Sequence, residues 1–226
     1  MSSAALQEVR RPVAGLPAGA ALRAALGDLY RQSWRFFVLN AALAACVVPV
    51  VVAGFWAPLA WVLLLGVGPL AAALQHCAVV AVTTEELRLR EALVGLRLHR
   101  RRGLVLGAVS AATSALGVYA IAFYGSRGTL VLAVLAVYLL LALLVYQLVL
   151  WPLAVVEPDR PLRLVVEDTL RALLARPLQA LGLTTALVVV NLLGVALAVV
   201  PFLTLTIAYS ALAAARFAIP PEEVEV

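Results

Sequence analysis

The sequence predicts an all-α fold: a polytopic membrane helical bundle of about six transmembrane helices, arranged as three hairpins with amphipathic cytoplasmic interfacial helices. Two observations support this fold class. First, 65% of the residues are hydrophobic and only 13% are charged, whereas soluble domains carry roughly 25% charged residues. Second, the apolar residues form continuous runs near the length of about 20 residues that a helix needs to cross a bilayer.

Six apolar runs predict the spans, at about 36–54, 57–82, 103–124, 129–156, 178–199 and 201–217. The first and last runs are short, so a count of five spans stays open. Some 35 residues precede the first run, which is too long for the n-region of a cleavable signal. We therefore expect a single domain over 21–219, a flexible N-terminal segment over 1–20, and an acidic C-terminal tail over 220–226.

The distribution of charge predicts the orientation. All 17 basic residues are arginine, and with six spans sixteen of them fall on the same side of the membrane. The opposite connectors contain only Arg127. Because arginine accumulates in cytoplasmic loops, both termini are predicted to be cytoplasmic, in a bacterial inner membrane. Topology alone then explains the net charge of +5, and no nucleic-acid partner is expected.

Three connectors have the pattern of interfacial helices, at about 21–35, 84–100 and 161–176. In the second, Leu89, Leu93 and Leu96 recur at the spacing of one helix face. Thr83 and Glu86 have the spacing of a capping box that would start this helix, and Asp159 is placed to cap the third. The same layout of amphipathic helix, arginine, span, turn and span recurs about every 70 residues.

The second connector also contains the densest charge. Its apolar face would lie toward acyl chains or the bundle, with arginines at headgroup depth, where each contributes about 1 kcal/mol near an anionic surface. The residues predicted to contact anionic lipid headgroups are Arg88, Arg97, Arg100, Arg101 and Arg102. A docking face for a protein partner remains the alternative, and a second copy of the chain is also open.

The second span contains the sequence GVGP. Gly66 and Gly68 permit close packing or unusual dihedrals, and Pro69 lacks an amide donor and clashes with the preceding turn. A kink or gap in helical hydrogen bonding is therefore predicted within about a turn of Pro69. Such breaks mark binding sites in transporters but also occur as plain kinks.

Ionisable groups within a membrane are costly and indicate function, yet none lies clearly inside a predicted span. The chain has no HExxH or CxxC motif, so no catalytic, cofactor-binding or metal-ligating residue is predicted and no enzymatic activity is expected. The candidate polar intramembrane residues are Asn40, Gln75, His76 and Asn191. Side chains of this kind commonly join helices by hydrogen bonds, and His76 fits that role as well as a functional one.

Two segments resemble a known family. The stretch LNAALAACVVPVVVAGFWAPLA (39–60), followed by GVGPLAAAL (66–74), resembles the start of the YesL-like bacterial integral membrane proteins. VLWPLAV (149–155) and the sequence Leu-Ala-Arg-Pro (174–177) are similar to later segments of that family. The resemblance covers about 28–217, and Val51–Val52 departs from it where a hydroxyl-bearing residue is common. It implies an inner-membrane location and a link to carbohydrate utilisation, with no assigned activity.

Two functions follow as hypotheses. The first is an accessory, assembly or regulatory membrane component without enzymatic activity. The second is a small transporter or permease subunit for a neutral or weakly polar solute. A polar cavity lined by Asn40, Gln75 and Asn191 would favour transport, and a tightly packed core would favour the accessory role.

Overall fold

The computed structural model describes residues 15–57, 66–84, 86–197 and 205–220. Within these ranges the chain forms nine helices: α1 (Ala18–Arg31), α2 (Ser33–Trp56), α3 (Val67–Thr84), α4 (Arg90–Leu98), α5 (Arg100–Ser126), α6 (Leu130–Val156), α7 (Leu162–Ala175), α8 (Pro177–Leu197) and α9 (Ile207–Ala218). The predicted all-α class is confirmed. The protein is a multipass helical membrane protein.

Five of these helices, α2, α3, α5, α6 and α8, are long and apolar enough to cross a bilayer. The helices α5 and α6 have 27 residues each, which corresponds to a length of about 40 Å. Helix α9 has 12 residues and rises only about 18 Å. Residues 58–65 and 198–204, which belong to the second, fifth and sixth predicted spans, lie outside the described residues, so the sixth span stays a prediction.

The core forms around α3 and α9, the two helices with the largest share of buried residues. Both helices bury mainly alanine toward their neighbours, including Ala72, Ala78 and Ala81 of α3 and the run 211–215 of α9. Small side chains suit this position because membrane helices associate through close van der Waals packing rather than through a hydrophobic driving force. The larger apolar side chains of α5 and α6 are mostly exposed and face the lipid side.

Glycines determine where α3 crosses α5. A Cβ added at Gly107 would lie 2.5 Å from the Cα of Gly68, and one added at Gly103 would lie 2.9 Å from the Ala72 Cβ. A Cβ at Gly68 would collide with the carbonyl oxygen of Gly103. The two backbones are therefore in direct contact here, a geometry that only residues without side chains permit.

The predicted capping box at Thr83 is wrong. Thr83 and Thr84 end α3 instead of starting the next helix, and their hydroxyls donate to the carbonyls of Val79 and Val80 at 3.0 and 2.8 Å. The interfacial helix predicted over 84–100 is consequently shorter and begins at Arg90. A threonine hydroxyl can bond back to the preceding turn as easily as it can cap a new one, and the apolar run favoured continuing α3.

The other two interfacial helices occur close to their predicted positions, as α1 and α7. Asp159 does not cap α7, because the N-cap position is occupied by Pro161 without a side-chain hydrogen bond. Proline is suited to the start of a helix, where its missing amide hydrogen costs nothing. Glu167 and Arg171, four residues apart on α7, form an ion pair at 3.8 Å.

Residues 15–20 were predicted to be flexible, but they pack against the C-terminal helix. The amide of Leu16 donates to the carbonyl of Arg216 at 2.9 Å, and Gly15 is buried against the backbone of Phe217. Arg176 also donates to the Gly15 carbonyl at 2.9 Å. The chain before α1 is thus held between the start of α8 and the end of α9.

A buried ion pair joins α1 to α9. The guanidinium of Arg216 donates to both carboxylate oxygens of Asp28, at 2.8 and 3.0 Å, and Arg31 approaches the same carboxylate at 2.7 Å. The side chain of Asp28 is 2% exposed. The pair thus links the first described helix to the last.

Candidate functional site

A cavity of about 370 Å³ lies between α2 and the rest of the bundle. Its size falls within the range of roughly 300–1,000 Å³ typical of small-molecule sites. Four helices, α2, α3, α6 and α9, supply its walls. The lining residues are Asn40, Leu43, Ala44, Val47, Val67, Ala71, Leu74, Gln75, Leu148, Trp151, Ile207, Ser210 and Ala211.

Besides the indole N–H of Trp151, three of these lining side chains can form hydrogen bonds. Asn40 is fully buried, and it reaches the cavity from α2. Gln75 lines it from α3, and its Oε1 atom is buried without a hydrogen-bond partner among the described residues. Ser210 contributes a hydroxyl from α9. The structure therefore brings together two of the four polar residues predicted from the sequence, on separate helices.

Asn191 lies on the other side of Ser210. Its Nδ2 donates to the Ser210 Oγ at 2.8 Å and to the Leu187 carbonyl at 2.7 Å. The Ser210 hydroxyl in turn donates to the Thr206 carbonyl at 2.8 Å. Asn191 lines a different cavity of about 370 Å³, which it shares with Ser210. Asn191 therefore joins α8 to α9, and Ser210 lines both cavities.

A smaller cavity of about 180 Å³ flanks α2 on its other side. Its lining is apolar apart from the thiols of Cys46 and Cys77. Leu43 lines both this cavity and the larger one. Helix α2 is anchored at its first turns by the fully buried Phe36 and Asn40. Beyond them, no described side chain of α2 is buried.

His76 does not reach the larger cavity wall but contacts the second histidine of the chain. Its Nδ1 lies 3.3 Å from the Nε2 of His99, with ring centroids 5.2 Å apart. The two rings connect α3 to the residue that precedes α5. Gly95 of α4 packs directly on the His76 ring, because a Cβ there would lie 2.8 Å from the His76 Cβ.

Burial explains the protonation state of His99, whose side chain is almost completely inaccessible. Desolvation, followed by the proximity of His76 and Arg102, lowers the pKa of His99 to about 4. The imidazole is therefore neutral at physiological pH. A neutral ring can donate one hydrogen bond and accept another, which suits an interhelical contact between two histidines.

Arg102, one of the arginines predicted to contact headgroups, forms hydrogen bonds within the protein. Its guanidinium donates to the carbonyls of Ala154 and Glu157, each at 2.6 Å, and to the carbonyl of Arg160. These acceptors lie at the C-terminal end of α6 and just beyond it, where helix carbonyls have no intrahelical partner. Arg102 therefore stabilises the end of α6.

The remaining arginines of the predicted lipid-contacting set, Arg88, Arg97, Arg100 and Arg101, are exposed. Leu93 and Leu98 of α4 are also exposed, at 61% and 53%. The opposite side of α4 packs on the bundle through Ala92 and Gly95. Helix α4 thus presents a surface that is both apolar and cationic.

The GVGP segment has a packing role in the described residues. Gly68 is the contact point with α5, whereas a Cβ at Gly66 would meet nothing within 4 Å. Pro69 is buried in the first turn of α3, where its missing amide hydrogen leaves no hydrogen bond unmade. The predicted break upstream falls partly on residues 58–65, outside the described residues, so the kink remains a prediction.

The sequence reasoning missed the Asp28–Arg216 pair. The available signal was an arginine inside an alanine-rich apolar helix, which requires a buried partner because an unpaired charge there is costly.

In the part of the chain that the structure describes, no three His, Cys, Asp or Glu side chains come close enough to hold a metal ion.

Comparison of this chain with models of protein families, with curated proteins and with solved structures finds no significant match.

Proposed function

We propose that the protein is a non-enzymatic component of the bacterial inner membrane that binds a neutral, weakly polar molecule inside its bundle, as a small transporter or permease subunit. The observation that supports this function is the cavity of about 370 Å³ between four helices, whose lining includes Asn40, Gln75 and Ser210. The orientation predicted from the arginines, with both termini cytoplasmic, completes the proposal.

The chemistry of the lining supports a neutral ligand. Amide and hydroxyl groups offer hydrogen bonds without charge, and the residues that line the cavity include no ionisable acid or base. An ionised ligand in such a cavity would have no counter-charge, and burying an isolated charge is strongly unfavourable. A neutral molecule with few polar groups meets no such penalty.

Filling the cavity tests this function. The Ala71→Phe variant would occupy it from the α3 wall, and Ala112→Phe, on an exposed face of α5, is the matched control. Small molecules extracted from each purified protein would be identified by mass spectrometry. We expect a neutral species that is retained by the wild type and by Ala112→Phe and is lost from Ala71→Phe. The same extracted molecules in all three proteins would contradict the proposal.

The exposed surface of α4 favours a second function, that of an accessory or regulatory component held on the cytoplasmic leaflet. Arg97, Arg100 and Arg101 are exposed, as are the nearby Leu93 and Leu98 of α4. Apolar side chains that insert at the boundary, together with arginines at headgroup depth, are typical of interfacial helices on anionic lipid. The three arginines together would contribute about 3 kcal/mol at about 1 kcal/mol each.

Hydrogen exchange of α4 in nanodiscs tests this second function. In the variant with Arg97, Arg100 and Arg101 changed to glutamine, α4 should exchange faster than in the wild type in anionic bilayers. The two proteins should exchange alike in neutral bilayers. If the variant instead loses a co-purifying protein while lipid dependence is unaltered, the arginines dock a partner. Equal exchange in both lipids for both proteins contradicts the lipid contact.

A further inference from the structure

The hydrogen-bonding capacity of the larger cavity limits the polarity of its ligand. Ser210 already donates to the Thr206 carbonyl and accepts from Asn191, so its hydroxyl has one remaining acceptor position. Asn40, Gln75 and the indole N–H of Trp151 supply the other side-chain hydrogen-bonding groups of the lining. A sugar or another polyol would bury several hydroxyls against apolar walls without partners, which is unfavourable. The cavity therefore suits a molecule with only one or two polar groups.

The Oε1 atom of Gln75 indicates what one of those groups would be. It is a buried acceptor without a partner among the described residues, and such atoms are uncommon in folded proteins because they lose hydration without compensation. Rotation of the amide toward the cavity would let it accept a hydrogen bond from a ligand hydroxyl or amide. The remainder of the ligand would contact aliphatic side chains and the Trp151 ring.

The packing of α2 leaves a route from the bilayer. Beyond Asn40 the described side chains of α2 are half-buried or exposed, and cavities flank the helix on both sides of Leu43. The exposed residues include Val48 and Val52. A molecule dissolved in the hydrocarbon region can approach the cavity past this part of α2 without crossing the core around α3 and α9.

From these observations we infer that the larger cavity takes a neutral amphiphile drawn from the bilayer, an aliphatic molecule carrying one or two hydroxyl or amide groups. This inference rests on the proposed function, which requires only that some neutral molecule bind there. It specifies the chemical class, excludes polyols, and assigns access to the membrane side of α2.

Fluorescence of Trp151 provides a direct test, because its ring lines the cavity. A protein that keeps Trp151 as its single tryptophan would be placed in lipid vesicles and titrated with three brominated quenchers. These are a long-chain alcohol, the matching fatty acid in its ionised form, and a bromodeoxy sugar. A second protein that keeps only Trp56, which is 88% exposed, reports non-specific quenching by the bilayer.

We expect saturable quenching of Trp151 by the alcohol alone, and unsaturable quenching of Trp56 by both lipophilic probes. Gln75→Leu should raise the half-saturating mole fraction about tenfold, because the ligand loses one hydrogen bond. Ala71→Phe should remove the saturable component, and Ala112→Phe should keep it.

Saturable quenching by the sugar instead of the alcohol overturns the inference and leaves the proposed function standing, whereas saturable quenching by the ionised acid overturns both. Absence of any saturable quenching also overturns the inference. In that case the proposed function also falls if the molecules extracted from wild type and Ala71→Phe are the same.

Discussion

The buried ion pair between Asp28 and Arg216 is expected to be the most sensitive polar contact of the bundle. Changing Asp28 to asparagine removes the charge that balances Arg216 while nearly preserving shape. The guanidinium would then lie between α1 and α9 with its side chain only 18% exposed. Breaking a buried pair by removing one partner typically costs 3–5 kcal/mol, so we expect a loss of about 4 kcal/mol in the free energy of unfolding.

The geometry of the Asp28–Arg216 pair supports a contribution to the free energy of unfolding in the upper part of the range known for ion pairs. Two guanidinium nitrogens of Arg216 contact the two carboxylate oxygens at 2.8 and 3.0 Å, and bidentate pairs of this kind are the strong ones. The contact with Arg31 adds little, because its side chain is 56% exposed and exposed pairs contribute about 0.2–1 kcal/mol.

Unfolding in mixed micelles, followed by circular dichroism against the fraction of denaturing detergent, would measure the effect. The matched control is Glu167→Gln, whose partners Arg163 and Arg171 are 88% and 74% exposed. That change should cost no more than about 1 kcal/mol. A cost for Asp28→Asn as small as that of the control would refute the assignment of a buried pair.

A second variant separates charge from packing. The double change Asp28→Leu with Arg216→Met replaces both charges by apolar groups, and such replacements of a buried pair are often neutral or stabilising. We expect it to be more stable than either single change. If the double variant loses the sum of the two single losses, the two residues act independently and the pair contributes nothing as a pair.

Three further predictions follow from other parts of the structure. Gly107→Leu should destabilise the bundle by about 1–3 kcal/mol, measured by the same unfolding assay, because it forces α5 away from α3, whereas Gly125→Leu meets open space and should be mild. In a background without native cysteines, Ser126→Cys should react with an impermeant thiol reagent outside intact cells and Arg97→Cys should not; the reverse labelling would overturn the orientation. Because the folded-state pKa of His99 is lowered to about 4, its contribution to stability is complete above about pH 6.5 and is lost as the pH falls toward 4, by up to about 3 kcal/mol. His99→Gln should flatten that part of the stability profile, and an unchanged profile would contradict the assignment.

The helices that cross the membrane were predictable because their signal is local. Continuous apolar runs over 103–124 and 129–156 correspond to α5 and α6 within a few residues. The amphipathic connectors were also recognisable from apolar spacing alone. In both cases the physical cause acts within a short stretch of sequence. A segment placed in the bilayer by its apolar residues must satisfy its backbone hydrogen bonds internally, and it therefore forms a helix.

Helix boundaries were less predictable because the same residue can act in two ways. Thr83 has the spacing of a cap, yet its hydroxyl bonds back to the Val79 carbonyl within α3. Arg102 looked like one more surface arginine in a cluster, yet it stabilises the end of α6 from 52 residues away along the chain. Neighbouring residues do not distinguish these alternatives.

The candidate site shows the same limit. Asn40, Gln75, His76 and Asn191 were equivalent as polar residues in apolar runs. The structure places the first two at one cavity, pairs His76 with His99, and uses Asn191 to join α8 to α9. Which of these residues meet depends on how each helix is rotated about its axis. The apolar pattern does not define that rotation when nearly every position of the helix is apolar.

By itself the sequence determined that this chain is an all-α membrane protein, where most of its spans lie, and which loops contain its charge, because bilayer thickness and hydrogen-bond satisfaction act on each segment separately. Only the tertiary structure decided that α3 and α9 occupy the centre, that Asp28 meets Arg216, and that α2 encloses a cavity with Gln75 on its far wall. These features depend on how close two helix backbones can approach, and that distance is set by pairs of residues far apart in the chain, such as Gly68 and Gly107.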